Sequence, residues 1–276
     1  MVLSHRPLPV LAIARILAIG TVLAGALAAC QPPHPAAKDP AAADAAAFEA
    51  KGYTHAPVIT GLKTGEAGFV VISGTAPADS RMRFAFVDPL KSGTQAVGVT
   101  TDAQGRFQAE VPIGAGGGLY DVTVDDGSRL RQMEGRLFVP PGRPDHAVLM
   151  RPGAPSLPLF AGGGALASMD YDGNGAFALS GHVRPMAMVD VALDGQVLAQ
   201  ARADASGLYT LLIQINKLPP DEVLNIAVTS SGVTAKQDAT MAVAIAGPGN
   251  HVTPAGSGWR IGWTVPGGGT QSTVVF

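Results

Sequence analysis

The side chains with the clearest chemical potential in this 276-residue sequence are few and scattered. In Met169-Asp-Tyr-Asp-Gly-Asn-Gly175, the residues Asp170, Asp172 and Asn174 stand at alternate positions. That spacing presents oxygen ligands in the first half of an EF-hand calcium loop, which must close with a bidentate Glu at its twelfth position. Counted from Asp170, the twelfth position is Gly181, and no helical pattern flanks the segment. The preferred reading is a hairpin turn rich in Asp-Gly and Asn-Gly. His146 and His251 each follow a Pro-Gly turn, and His182 has no second His at ligand spacing, so no metal site is expected. The glycine clusters at 114–118, 162–164 and 267–269 lack the Lys-Ser/Thr ending of a phosphate loop. No G-x-S-x-G, H-E-x-x-H or Cys nucleophile is present, and Asp125-Asp126 falls on a turn after a strand. The expectation is a non-enzymatic chain without a cofactor.

Two groups suit binding better than catalysis. Arg129, Arg131, Arg136, Arg143 and Arg151 crowd one stretch, whereas the corresponding part of the second half keeps only Lys236. Guanidinium groups so gathered would take phosphate, polysaccharide or an acidic partner; a solvated, charged edge that discourages sheet-to-sheet pairing is the favoured explanation. Trp259 and Trp263 alternate on one face with Ile261 and Val265. That face is either core or, if exposed, a carbohydrate or protein contact.

The elements that would carry these residues are strands. The chain has 35 Gly, 22 Pro and only 14% charged residues, and short runs containing Val, Ile and Thr lie between turn signals, the composition of an all-β protein. The net charge of −2 gives no electrostatic case for nucleic acid. Met82, Phe84 and Phe86 alternate with Arg83 and Ala85, and Val189, Val191 and Leu193 alternate with Asp190 and Ala192. A period of two gives each strand one inward and one outward face.

The pattern occurs twice. VISGTAP (71–77) is matched by LSGHVRP (179–185), DAQGRF (102–107) by DASGLY (204–209), and YDVTVDDG (120–127) by LNIAVTSSG (224–232). Constant order at nearly constant offset predicts tandem domains rather than a solenoid. Asp-Ala-x-Gly is read as a turn in which Asp supports the backbone and Gly takes positive φ. The pattern SGTA…DAxG[FY]…[YL]xVxV resembles bacterial Ig-like and carboxypeptidase-regulatory-like modules. The resemblance implies two tandem Ig-like antiparallel β-sandwich domains, placed at 56–160 and 161–276. Each domain continues past its repeat, and the tail of the second reads as a hairpin turning at 266–269. These tails are either extra strands of each domain or strands exchanged between them.

The N-terminus predicts an address. His5, Arg6 and Arg15 precede an apolar run from Ile16 to Ala29 that is short for a membrane span; a basic start, an apolar stretch and small residues before a cut form a secretory signal peptide. Leu27-Ala28-Ala29-Cys30 resembles the lipobox of bacterial lipoproteins. The resemblance implies that signal peptidase II recognises Leu27, Ala28 and Ala29, removes residues 1–29 and leaves Cys30 diacylated. Gln31 in place of Asp implies the outer membrane. Cys30 is the only cysteine, so the folded part is expected to hold no disulfide. Residues 30–55, rich in Pro and Ala, read as a disordered tether. The expected partners are a membrane through the lipid, and an envelope protein or glycan.

Overall fold

In a computed structural model, residues 56–87, 94–219, 222–241, 250–266 and 268–276 are described. All of them belong to one compact unit. The described elements are almost all strands. The first half contains β1 (Val58–Thr64), β2 (Phe69–Thr75), β3 (Arg81–Val87), β4 (Thr94–Thr100), β5 (Arg106–Pro112), β6 (Gly118–Asp125), β7 (Leu130–Gln132), β8 (Arg136–Val139), β9 (Val148–Met150) and β10 (Leu157–Pro158). The second contains β11 (Ser168–Tyr171), β12 (Ala176–His182), β13 (Met188–Leu193), β14 (Gln196–Arg202), β15 (Leu208–Gln214), β16 (Val223–Ser230), β17 (Val233–Thr240), β18 (His251–Ala255), β19 (Gly258–Thr264) and β20 (Thr270–Val275).

The duplication read from the sequence is a duplication of topology. In the first half β1–β2–β5 form one sheet, and β4–β3–β6 with β7 form the core of the other; in the second half β11–β12–β15 and β14–β13–β16–β17 repeat both orders. Each half is an antiparallel Ig-like sandwich in which the fourth strand has joined the opposite sheet from its place in an immunoglobulin constant domain. Alternation drives the packing. Phe107, Ala109 and Val111 of β5 turn inward, while Arg106, Gln108 and Glu110 face solvent. Ile72, Phe84, Val111 and Val122 lie at the centre of the first core, and Met169, Leu179, Val191 and Val228 at the centre of the second.

Both copies use the same turn before their fifth strand. Asp102 Oδ1 accepts the Gln104 and Arg106 N–H groups at 2.9 and 2.8 Å; Asp204 Oδ1 accepts those of Ser206 and Leu208 at 2.8 and 3.0 Å. Gly105 and Gly207 close these turns at φ 74° and 89°. At either glycine an added Cβ would lie 2.3 Å from a carbonyl oxygen, of Ala76 or Val183. Gly207→Ala should therefore cost more than the roughly 1–2 kcal/mol of a left-handed backbone alone. Gly195→Ala, at φ 80° with open space around the new methyl, should cost only that backbone penalty. Urea midpoints at unchanged m-value measure both; equal losses would disprove the close approach.

Beyond the repeat the halves diverge. β7 and β8 pair with opposite ends of β6, and β9 and β10 continue outward, giving the order β10–β9–β8–β6–β3–β4. In the second half β17 runs unbroken along β16, and the chain then crosses to the other sheet. There β20 pairs with β11, giving β15–β12–β11–β20–β19–β18. The tails are thus extra strands of their own halves, added to non-equivalent sheets. After β19 Val265 N–H donates to Gly269 O at 2.9 Å, and the return strand starts at Thr270.

Candidate functional site: the seam between the sandwiches

The two added sets of strands face one another. Leu119, Phe138, Val148 and Met150 of the first half pack with Val252, Ile261, Trp263 and Val275 of the second in a third core, with Trp259 and Val265 at its margin. Alternation along β19 sends the two Trp residues, Ile261 and Val265 to one side, as the sequence predicts. That side is covered by the other sandwich. Trp263 is only 2% exposed and Trp259 is half-buried, so no open two-Trp platform exists.

Beside this apolar patch lies a buried polar cluster centred on Asp170. Its carboxylate accepts Ser156 N–H (2.7 Å), Ser156 Oγ (2.6 Å), Gln271 Nε2 (3.1 Å) and Thr273 Oγ1 (2.7 Å). Gln271 also donates to Arg151 O and accepts from Gly153 N–H, both at 3.2 Å. Ser180 Oγ donates to Ser156 O and meets Ser168 Oγ at 2.6 Å. Burial pushes the Asp170 carboxyl above its ordinary range, against the hydrogen bonds from Ser156, Thr273 and Gln271. Trp263 Nε1 donates to Thr273 Oγ1 at 3.4 Å, which joins the cluster to the apolar patch.

Most of the arginine cluster is engaged within the protein. Arg136 pairs with Asp121 at 2.8 Å, donates to Asn250 Oδ1 at 2.6 Å and lies 5.7 Å from the Trp263 ring centroid. One guanidinium thus ties β8 to the segment entering β18 and covers the indole face. Arg143 donates to Ser257 O at 3.1 Å. Arg151 holds Pro155 O and reaches Glu134. Arg131 sits 3.5 Å from Asp126, and Arg129 is exposed. His146 Nδ1 lies 2.6 Å from Phe276 O, again across the seam. His251 opens β18, so the two His residues matched in the sequence serve different elements. His182 ends β12, and burial holds its imidazole below the ordinary value.

The calcium-like segment separates into two roles. Asp170 is the buried seam residue. Asp172 Oδ1 accepts Asn174 and Ala176 N–H at 2.7 and 2.9 Å, with Gly175 at φ 112°. Asp172 to Gly175 is a third instance of the turn at Asp102 and Asp204, identifiable from its Asp-x-x-Gly spacing. The sequence reading also passed over Tyr120. At the start of β6, its hydroxyl donates back to Pro112 O at 2.6 Å, the tyrosine corner of immunoglobulin-type sandwiches; burial raises its pKa. Among the described residues no group of three or more His, Cys, Asp or Glu side chains converges as a metal site. Asp102, Asp126 and Asp204 serve structure. Hydrogen bonds to Ser128 and Arg129 lower Asp126 to about 2. Asp102 and Asp204 are also lowered, first by hydrogen bonds from Arg106 and Ser206 respectively.

Fold and seam together define a tandem Ig-like β-sandwich protein. No family model and no curated protein matches the chain. Among solved structures, a "Biofilm associated protein - BSP domain" is similar at 16% identity over 64% of this chain and 28% of that one, with a TM-score of 0.24. The chain therefore spans about a quarter of that structure's length. A "Central Fibronectin-III array of RIM-binding protein" is similar at 12% identity over 78% of this chain and 76% of that one, with a TM-score of 0.26. Likenesses at this level carry no functional argument.

Proposed function

We propose that this chain is a lipid-anchored protein of a bacterial envelope, presenting two fused sandwiches as a non-catalytic structural, adhesive or assembly module. The seam is the observation that carries the module reading. Side chains with the capacity for chemistry, Asp170, Arg136 and His146 among them, hold the two halves to each other. A buried apolar patch, a satisfied polar cluster and a cation over an indole make a stiff body suited to bearing load or holding a partner in fixed orientation. The carbohydrate alternative loses its Trp263 platform to that seam. Accessory membership of an envelope enzyme complex remains a second outcome for crosslinking in intact cells.

The anchor rests on the sequence. Leu27, Ala28, Ala29 and Cys30, and the tether to residue 55, lie outside the described residues. Two or more acyl chains on Cys30 would hold the protein on a bilayer, each buried methylene adding about 0.8 kcal/mol. The outer membrane is the proposed location, from Gln31. Labelling cells with radioactive palmitate should mark the wild-type chain and leave Cys30→Ala unlabelled. Equal incorporation by both would remove the anchor.

A further inference from the structure

We infer that β15 is a pairing edge, through which a second copy of this chain adds antiparallel to the six-stranded sheet. Among the described residues β15 ends that sheet, with β12 its only hydrogen-bonded neighbour. Gly207 O accepts from Val183 N–H, and Ile215 N–H donates to Gly175 O, both at 2.9 Å. Odd-numbered residues of this strand therefore turn their backbone groups toward β12, and even-numbered ones turn theirs away. The outward groups of Leu208 are taken by Asp204, through its backbone N–H and its Oδ1. Those of Thr210, Leu212 and Gln214 face out at the edge.

Comparison of the two copies shows what is special about this edge. The registers of β2 with β5 and of β12 with β15 place Arg106, Gln108, Glu110 and Pro112 opposite the same sites as Leu208, Thr210, Leu212 and Gln214. In the first copy this edge strand carries two charges and a proline, the residues by which natural sheets discourage strand addition. The second copy carries none of them, and Leu212 is 57% exposed.

The outward groups specify a register. A two-fold axis at Leu212 sets Leu212 against Leu212 of the other copy, and Thr210 against Gln214 on either side. Each such pair can exchange N–H···O=C bonds. The two leucines then cover each other on the same face. At the equivalent axis on β5, two Glu110 carboxylates would meet, so of these two equivalent edges β15 is the self-complementary one. The isologous closure limits the assembly to a dimer.

The test uses the full chain in detergent with Cys30→Ala, which removes the only native thiol and makes the result independent of the anchor. Leu212→Cys should form a disulfide-linked dimer under mild oxidation, since the paired Cα atoms would lie about 5.5 Å apart. Glu110→Cys should remain monomeric. In sedimentation, Leu212→Glu, with its circular dichroism unchanged, should weaken dimerisation by about tenfold or more. A parent chain that sediments as a monomer, equal crosslinking at both positions, or a Leu212→Cys chain that crosslinks only to a different protein would each overturn pairing between copies.

Discussion

Asp170→Ala should destabilise the protein by about 3 kcal/mol, and the deficit should shrink as pH rises. The substitution removes the acceptor for Ser156, Gln271 and Thr273. A buried donor left without a partner costs roughly 1–3 kcal/mol, part of which entering water recovers. Burial raises the Asp170 pKa in the fold, so between its unfolded value of 3.8 and that raised value the native state binds more protons than the unfolded one. Stability from this group is fully present below 3.8 and is lost as pH rises through the folded pKa. Asp102, Asp126 and Asp204 have the opposite sign. Their folded values are lowered, so their contribution is present above 3.8 and lost as pH falls. Wild type and variant share these three, and the difference between their urea-unfolding free energies across pH isolates Asp170. A difference that grows with pH would contradict the buried, desolvated carboxylate.

The general form of this protein was legible in its sequence. Alternation around Phe84 and Val191 marked inward faces, and matched Asp-Ala-x-Gly turns marked the duplication. Those signals are local, set by the two-residue period of a strand and by the φ a glycine adopts. The seam depends on non-local pairing and was less legible. Asp170 and Asp172 are two residues apart in one acidic motif, yet one supports a turn and the other is buried against Ser156, over a dozen positions earlier, and Thr273, about a hundred later. Arg136 and its neighbours resembled a surface patch because sequence shows charge but not the Asp121, Asn250 and Trp263 that meet it. The face of Trp259 and Trp263 was correctly grouped by alternation; what covers it came from the other half.

Trp263→Ala should cost about 3–5 kcal/mol, the range for truncating a large aromatic in a packed core. It should also uncouple the halves. The indole fills the third core, donates to Thr273 and lies against Arg136, so its loss removes apolar contact and leaves a guanidinium without its ring. Trp259→Ala, at the margin of the same core, should cost less. In the Trp263 variant each sandwich keeps its own core, so thermal unfolding should separate into two steps. A Trp263→Ala chain that still melts in one step with little loss would show that the indole does not hold the seam.

Joined through the seam, the two copies of the sandwich form a single cooperative body. Differential scanning calorimetry of the unsubstituted chain tests this most directly. One transition with equal calorimetric and van't Hoff enthalpies is the predicted result. Two resolved transitions, one for each sandwich, would contradict it.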